Sequence, residues 1–203
     1  MSQGTTWPTF YQRLAGRQPR PLLARALALF ESDPPPNTYR QAIDMGCGDG
    51  TETLALIEQG WHVLSIDREP EALRLVESRV PVEKQGQLRM QLASFEEAQF
   101  GAADFIYAGF SLPFCDRRHF DAVWHNLTAS VNTGGRIAGH FFGERDTWVT
   151  DPEVICFPRQ QFEALFAQFE IEYLGESESD EPTAWGDPKH WHIFEVVARK
   201  LAV

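Results

Sequence analysis

The sequence of 203 residues contains few cysteines, and they lie far apart. Cys47, Cys115 and Cys156 form no C-x-x-C pair. A disulfide framework or a structural zinc site requires cysteines at close, regular spacing. The spacing argues against both, and we expect no metal site.

The chain also lacks the long apolar segments of membrane and secreted proteins. No apolar run approaches the roughly 20 residues that span a bilayer. The N-terminal stretch MSQGTTWPTFYQRLAGRQPR has no apolar core of a signal peptide. We therefore expect a cytoplasmic protein with no membrane partner.

Positive charge is scarce as well, since the formal net charge is -11 at pH 7. Nucleic-acid affinity depends on clustered Lys and Arg, so we expect no nucleic-acid partner. The one basic stretch is RLAGRQPRPLLAR, residues 13–25. We interpret it as a solvated helix face, and local binding of an anionic substrate is the alternative.

What the sequence does contain is typical of a soluble globular protein, with 43% hydrophobic and 23% charged residues. The length suits a single structural domain overall. The run SDPPPN at 32–37 interrupts the pattern. It divides an N-terminal helical cap segment, residues 1–37, from the main domain, residues 38–203.

Apolar residues recur with alternating strand and helix periods along the chain. The pattern predicts helices at 21–31, 51–59, 69–80, 119–131 and 158–169, and strands at 39–45, 61–67, 88–93, 103–108, 136–142, 169–175 and 191–200. This alternation is typical of an α/β fold, a mostly parallel, doubly wound sheet of about seven strands with helices on both faces. No helix separates the last two strands, so the C-terminal strand is expected to be antiparallel. The N-terminal helix is an appendage to this fold.

Two polar segments are predicted to lie outside the strands. NTGG, residues 132–135, has the composition of a turn. ESESDEP, residues 176–182, is interpreted as a solvated loop within the C-terminal hairpin.

A glycine-rich turn follows the first strand of the main domain, in the sequence IDMGCGDG at residues 43–50. In a doubly wound sheet, ligands bind at the carboxyl ends of the strands, where a glycine turn lets them approach the backbone. A second acidic residue, Asp67, ends the next strand and lies 17 residues after Gly50. An acid about 20 residues beyond such glycines binds a ribose diol. The pattern therefore predicts a nucleotide-like ligand.

The glycine spacing distinguishes between classes of nucleotide site. A dinucleotide site needs G-x-G-x-x-G, but here Gly46, Gly48 and Gly50 give G-x-G-x-G and Thr51 stands where the third glycine belongs. A Walker loop is excluded because no Lys-Ser/Thr pair follows. The site thus favours a ribose without the pyrophosphate signature.

These two motifs, AIDMGCGDGT and SIDREPEAL, resemble those of class I S-adenosylmethionine-dependent methyltransferases. The resemblance covers about residues 40–200 and implies a Rossmann-like fold. The segments FYQRLAGRQPRPLL and GHFFGERDTW are most similar to small bacterial methyltransferases of the tellurite-resistance and thiopurine type. That subgroup would imply a soft sulfur, selenium or tellurium acceptor.

The resemblance implies a cofactor site for S-adenosylmethionine. Asp44 would orient its amino group, Asp67 would hold the ribose hydroxyls, and Arg68 would flank the adenine. Where related enzymes often place an acid on the adenine amino group, this chain has Ser94 followed by Phe95. The residues implied to line the cofactor are Asp44, Gly46, Cys47, Gly48, Gly50, Asp67, Arg68, Ser94, Phe95, Ala108 and Phe110, with the last two beneath the sulfonium. Cys47 is interpreted as a small residue required by the turn, since no base accompanies it as a nucleophile.

The acceptor side is less defined, because methyl transfer depends mainly on alignment and exclusion of water rather than on a fixed motif. The loop YAGFSLPF, residues 107–114, lacks the N/D-P-P-Y/F of amino-group methyltransferases, which argues against DNA methylation. Aromatic side chains in three segments are candidates to wall a small, partly apolar acceptor pocket: Trp7, Tyr11, Trp148 and Trp185.

Polar candidates for acceptor contact or proton removal are His140, Glu144 and Arg145. A surface ion pair is the alternative for Glu144 and Arg145. His190 and His192 share a strand face but lack a third clustered ligand, so packing or substrate contact is favoured over metal binding.

The sequence thus predicts a methyltransferase that transfers a methyl group to a small-molecule acceptor by in-line displacement. A binding module without turnover is one alternative, and a nucleotide-binding oxidoreductase is another. The identity of the acceptor and the oligomeric state stay open.

Overall fold

The structure is a computed structural model that describes residues 7–14, 16–33 and 39–202. The predicted break at 32–37 and the boundary at 37/38 fall mostly outside the described residues. The helices are α1 Trp7–Leu14, α2 Pro21–Glu31, α3 Thr51–Glu58, α4 Pro70–Arg79, α5 Phe120–Ser130 and α6 Arg159–Ala164. The strands are β1 Gln41–Met45, β2 His62–Asp67, β3 Leu88–Leu92, β4 Ala103–Ala108, β5 Val131–Gly143, β6 Cys156–Phe157, β7 Phe169–Asp180 and β8 His190–Lys200.

The strands form one sheet in the order β3-β2-β1-β4-β5-β8-β7, with the short β6 paired to β5. The first five strands of this order are parallel, whereas β8 is antiparallel to both β5 and β7. The predicted Rossmann-like sheet with an antiparallel C-terminal strand is therefore confirmed. The chain changes direction across the sheet between β1 and β4, so the loops after these strands flank a crevice at the carboxyl edge.

Alternate residues of the central strands enter two separate cores, one on each face of the sheet. Ile43 of β1 belongs to the core that α5 and α6 cover, and Ala42 belongs to the core under α2, α3 and α4. In β4, Ile106 and Tyr107 divide in the same way. Helices on both faces are thus confirmed.

Helix α2 contributes directly to one of these cores. Pro21 occupies its first turn, where a missing N–H costs no hydrogen bond. Leu23, Ala26 and Phe30 lie on its buried stripe, and the Phe30 ring packs 5.5 Å from the Phe105 ring of β4. This packing fixes where the preceding loop meets the carboxyl edge of the sheet.

The predicted turn at 132–135 is wrong, because these residues belong to β5. Val131 pairs with Ala103, and the register then shifts before Arg136 pairs with Phe105. Gly134 has φ 77°, and a Cβ on Gly135 would lie 2.8 Å from the Asp104 carbonyl oxygen. The glycines therefore allow a bulge within the strand rather than an exit from the sheet.

The predicted solvated loop at 176–182 is also mostly wrong, since β7 continues through Asp180. Glu176 lies opposite Phe194 of β8, and Asp180 lies opposite His190. Basic groups on adjacent segments bind these carboxylates, and Arg145 Nη2 lies 2.8 Å from Glu176 Oε1. Pairing with opposite charges on neighbouring segments stabilises the acidic end of β7.

The predicted helix at 158–169 is shorter, as α6 ends at Ala164. The next carbonyl, that of Leu165, accepts a hydrogen bond from Trp124 Nε1 at 3.1 Å. None of the helices in the described part of the chain is long and apolar enough to cross a membrane.

Candidate functional site

The glycine turn lies between the carboxyl ends of β1 and β2. Gly46 has φ 68° and Gly50 has φ 78°, a conformation that side chains rarely adopt. A Cβ on Gly46 would lie 2.6 Å from Ser111 Cβ, and one on Gly50 would lie 2.8 Å from Val76 Cγ2. Both the backbone and the packing therefore require glycine, and the turn lies tightly against the loop after β4.

Asp44 lies at the carboxyl end of β1 and is buried. Thr53 Oγ1 donates a hydrogen bond to its Oδ2 at 2.6 Å. Burial, with a smaller contribution from the Glu52 carboxylate, raises the pKa of Asp44 to about 7. A cation placed beside this carboxyl would favour the ionised form.

Asp67 ends β2 and orients the glycine turn. Its Oδ2 accepts a hydrogen bond from Gly48 N at 3.0 Å, and its Oδ1 accepts one from Glu69 N at 2.9 Å. Tyr11 OH of α1 donates a longer one, 3.3 Å from Oδ1. Burial raises the pKa of Asp67. The carboxylate is thus presented at the cleft, with one long bond that a ligand hydroxyl could replace.

The loop before α2 covers the start of α3. Arg17 Nη1 donates to Glu52 Oε1 at 2.6 Å, and Arg17 Nη2 lies 3.1 Å from Asp49 Oδ1. Arg20 N donates to Glu52 Oε1 at 3.2 Å. The prediction of a solvated face for this basic stretch is therefore wrong at Arg17 and Arg20, because buried carboxylates next to the glycine turn hold both residues.

The remaining predicted cofactor residues surround the turn at different depths. Arg68 is exposed, with its guanidinium 5.8 Å from the Trp7 ring centroid. Ser94 Oγ donates to Glu97 Oε2 at 3.1 Å, and the Phe95 ring lies 3.5 Å from a Cβ built on Gly46. Ala108 is fully buried at the end of β4.

Cys47 and the other two cysteines are free. Cys47 is buried within the turn, and burial raises the pKa of its thiol well above the usual range. A thiol held protonated is a poor nucleophile, consistent with its interpretation as a small residue that the turn requires.

Phe110, after β4, has φ 58° and is the one non-glycine residue with positive φ in the described ranges. Its ring stacks on His140 with centroids 4.2 Å apart and planes 18° apart. The Arg20 guanidinium lies 4.8 Å from the Phe110 ring centroid. A strained backbone that the surrounding packing maintains is frequent at functional sites.

His140 is buried on β5, directly opposite Glu195 of β8. Its Nε2 lies 3.2 Å from Glu195 Oε1. His140 Nδ1 and the OH of Tyr107, whose ring lies 6.4 Å from the His140 ring, are buried without a hydrogen-bond partner among the described residues. The same holds for Ser111 Oγ, in the loop after β4. Buried polar atoms normally have partners, so these atoms indicate places for ligand groups.

Glu144 and Arg145 lie beyond the end of β5 and are exposed. Arg145 Nη2 lies 2.7 Å from Glu178 Oε1 and 2.8 Å from Glu176 Oε1. Arg145 therefore forms surface ion pairs, with β7 carboxylates as its partners. Neither residue is brought to the buried cluster around His140, and their contact with an acceptor stays a prediction.

The predicted aromatic walls are brought together by two rings that the sequence did not single out. Phe10 contacts both Trp7, at a centroid distance of 5.8 Å, and Trp185, at 6.4 Å. Phe114 contacts both Trp7, at 5.1 Å, and Trp148, at 6.0 Å. Tyr11 stacks beside Trp7 at 6.3 Å. The N-terminal helix, the loop after β5 and the hairpin therefore share one continuous aromatic wall.

His190 and His192 both face carboxylates of β7. His190 Nδ1 lies 2.8 Å from Asp180 Oδ1, and His192 Nε2 lies 2.9 Å from Glu176 Oε1. No group of three or more His, Cys, Asp or Glu side chains suited to a metal ion occurs in the described part of the chain.

Several residues of this site escaped the sequence reasoning. Tyr107, Ser111 and Glu195 stand in apolar or strand contexts with no motif to mark them. Arg17 and Arg20 were visible only as part of a basic stretch. The register of β5 against β8, which a sequence does not reveal, would have been needed to pair Glu195 with His140.

Residues 42–135 match the model of a family described as a methyltransferase domain. Magnesium-protoporphyrin O-methyltransferase of Rhodobacter capsulatus is 28% identical over 72 residues, which make up 36% of this chain and 32% of that protein. The match thus spans about a third of the curated relative's length.

Solved structures share the fold over most of the chain. TehB from Haemophilus influenzae has a TM-score of 0.71 at 15% identity, covering 96% of this chain and 67% of that chain. The N-methyltransferase NodS from Bradyrhizobium japonicum WM9, in complex with S-adenosylhomocysteine, has a TM-score of 0.66 at 14% identity and covers 97% and 99%. The 1,6-didemethyltoxoflavin-N1-methyltransferase from Burkholderia thailandensis, with 1,6-didemethyltoxoflavin and S-adenosylhomocysteine bound, has a TM-score of 0.64 at 20% identity and covers 90% and 78%.

Proposed function

We propose that the chain is a class I S-adenosylmethionine-dependent methyltransferase that transfers the methyl group of this cofactor to a small-molecule acceptor. The match of residues 42–135 to a methyltransferase domain supports the first part. The small-molecule acceptor is supported by three buried polar atoms without a hydrogen-bond partner among the described residues: Tyr107 OH, Ser111 Oγ and His140 Nδ1. Such atoms suit the functional groups of a ligand that the protein encloses. An extended polymer would need an open groove instead.

The described residues fit the cofactor. The Asp44 carboxyl, with its pKa raised by burial, would pair with the ammonium of the methionine part. Asp67 would accept hydrogen bonds from the ribose hydroxyls in place of the long bond from Tyr11. Gly46 and Gly48 would let the ligand approach the backbone closely. When bound, the cofactor would supply an electrophilic methyl group, with S-adenosylhomocysteine as the leaving group.

The residues around the acceptor would align it and exclude water, which are the main requirements of this chemistry. The aromatic wall of Trp7, Phe114 and Trp148 provides apolar surface for a planar or partly apolar molecule. Related proteins are named for the small molecules magnesium-protoporphyrin and 1,6-didemethyltoxoflavin, which favours an acceptor of this size class.

The sequence resemblance to tellurite-resistance and thiopurine-type enzymes implies a soft sulfur, selenium or tellurium acceptor as one alternative. The similarity to TehB, at 15% identity, supports the fold alone. A cytoplasmic location and the absence of a nucleic-acid partner likewise remain part of this proposal.

A binding module without turnover is the competing function, since Asp44 and Asp67 would bind the cofactor in either case. Incubating the protein with methyl-labelled S-adenosylmethionine and a small-molecule extract distinguishes the two. Label in a small organic-soluble product supports the proposal. Label only in protein or nucleic acid would contradict the acceptor class, and cofactor binding without any labelled product would favour the binding module.

A further inference from the structure

The His140 imidazole is held in one tautomer by its cross-strand neighbour. Glu195 faces it in register, and Glu195 Oε1 lies 3.2 Å from His140 Nε2. The other oxygen, Oε2, accepts a hydrogen bond from Tyr173 OH at 3.3 Å, which fixes the carboxylate. A carboxylate only accepts hydrogen bonds, so the neutral ring carries its hydrogen on Nε2 and leaves a lone pair on Nδ1.

The protonation states of the pair agree with this geometry. The hydrogen bond with His140 lowers the pKa of Glu195, which keeps the carboxylate ionised. Burial lowers the pKa of His140 despite the carboxylate, so the ring is neutral near pH 7 and its Nδ1 can accept a proton.

The free Nδ1 lies in a small polar cluster. The Tyr107 ring, on the neighbouring strand β4, lies edge-on to His140 at a centroid distance of 6.4 Å, and its OH has no partner among the described residues. Phe110 stacks on His140, and the Arg20 guanidinium lies 4.8 Å from the centroid of the same ring. Arg20 Nε makes no hydrogen bond among the described residues and lies 4.0 Å from Glu52 Oε1.

The charged groups that act on His140 come from three elements. Glu195 of β8 favours its protonation, Arg20 before α2 opposes it, and Glu52 of α3 favours it. The site therefore combines a proton acceptor with a nearby cation, which is the arrangement that an acidic hydroxyl and its anion require.

We propose that His140, oriented by Glu195, removes the proton from an acceptor hydroxyl of phenolic or enolic type, and that Arg20 stabilises the resulting anion. This inference rests on the proposed small-molecule methyltransferase function and specifies its substrate class. A thiol or selenol ionises at lower pH than a phenol and has less need of a base. The dyad thus indicates an oxygen acceptor rather than a soft one.

The acceptor O–H proton moves to His140 Nδ1, and its bonding electron pair stays on oxygen as the nucleophile. The imidazolium keeps its Nε2 hydrogen bond to the Glu195 carboxylate, which offsets the new positive charge. After methyl transfer, the Nδ1 proton leaves to solvent and the neutral ring is restored.

The test uses 4-nitrophenol, whose absorbance reports its own ionisation without turnover. The full-length protein saturated with S-adenosylhomocysteine is mixed with the probe, and the spectrum is followed from about pH 5 to pH 8, the range in which histidine titrates. Wild-type protein is expected to raise the phenolate-to-phenol ratio of bound probe about tenfold or more over the ratio in free solution, which corresponds to a pKa change of one unit.

Variants separate the roles of the two residues. His140→Gln is expected to abolish the phenolate signal. Glu195→Gln is expected to reduce the ratio about tenfold while leaving probe affinity within about twofold, since it acts on the imidazole and not on the probe. The matched control is His125→Gln, an exposed histidine on α5, which should leave the spectrum unchanged.

Calorimetric binding of S-adenosylhomocysteine to each variant keeps the outcomes distinct. If the wild-type protein does not bind S-adenosylhomocysteine, the proposed function itself is refuted. Intact cofactor binding with no bound phenolate, or with equal phenolate in wild type and His140→Gln, would refute the base assignment alone.

Discussion

Asp44 is a buried carboxyl group, and its ionisation is costly when no ligand is bound. Its pKa is raised to about 7 because it is buried and close to Glu52. An ammonium group binds only the ionised form. We expect the affinity for S-adenosylhomocysteine to fall about tenfold for each pH unit below about 7, as measured by calorimetry between about pH 5 and pH 8. Affinity independent of pH over this range would contradict the pairing.

The same carboxyl lowers stability in the neutral range. A folded-state pKa above the unfolded value means that the folded protein binds the proton more tightly, so stability falls as pH rises from about 4 through about 7. Asp44→Asn should therefore raise the free energy of unfolding by about 1–3 kcal/mol at about pH 8 while weakening cofactor binding. Urea denaturation with and without S-adenosylhomocysteine measures both effects, and a destabilised variant would show that the carboxylate has an ionic partner.

Asp67 accepts two backbone hydrogen bonds, and we propose that its carboxylate also binds the ribose hydroxyls. Asp67→Ala should weaken S-adenosylhomocysteine binding about tenfold or more, since hydrogen bonds to a charged group contribute about 1.5–3 kcal/mol. Asp121→Ala, at an exposed position on α5, is the control and should leave binding unchanged. Unchanged affinity in the Asp67 variant would refute the ribose assignment.

At the scale of single elements, the glycine turn depends on both conformation and space. Gly50→Ala places a Cβ 2.8 Å from Val76 Cγ2 at φ 78°, whereas Gly60→Ala, at φ 86°, meets no atom within 4 Å. The Gly60 variant should lose about 1–2 kcal/mol of stability from backbone strain alone. Gly50→Ala should lose about 1–3 kcal/mol more because the overlap moves α3 against α4. If urea denaturation gives the same loss in the free energy of unfolding for both variants, the turn has room for a side chain at Gly50.

Most elements follow from periodicity in the sequence, but local exceptions depend on tertiary partners. Strand β4 begins and ends where the apolar alternation at 103–108 predicts, because its residues are buried on both faces. The start of β5 was missed because Gly134 and Gly135 are typical of a turn, yet here they form a bulge beside Asp104. The end of β7 was missed because its acidic residues pair with basic groups that lie distant in sequence.

At the scale of the whole molecule, a buried ion cluster joins the N-terminal helices to the sheet. Arg136 of β5 is 1% exposed, donates from Nε to Glu172 Oε2 of β7 at 2.6 Å, and also pairs with Asp33 after α2. Arg136→Met removes the partner of Glu172 and leaves Asp33 only its longer pair with Arg199, at 3.8 Å, so the free energy of unfolding should fall by about 3–5 kcal/mol. Arg159→Met breaks only exposed pairs and should cost less than about 1 kcal/mol in the same urea titration. If the two variants lose similar free energies of unfolding, the ion cluster around Arg136 is well solvated.

The two halves of the candidate site differ in how far the sequence predicts them. The cofactor half comes from Asp44, the glycine turn and Asp67, which lie within one strand–helix–strand unit and carry recognisable spacing. The acceptor half combines α1, the loop at 16–20, the end of β4, and β5 with β8. Segments so distant in sequence are joined only by topology and register, so His140 was predicted while its partner Glu195 was not.

We propose that the turn between β1 and β2 binds S-adenosylmethionine rather than a dinucleotide. Calorimetric titration of the wild-type protein with S-adenosylhomocysteine, and in parallel with NAD, tests it most directly. We predict saturable binding of S-adenosylhomocysteine at micromolar concentrations and no heat from NAD. Binding of NAD without binding of S-adenosylhomocysteine would contradict the assignment of Asp44, Gly46 and Asp67 to this cofactor.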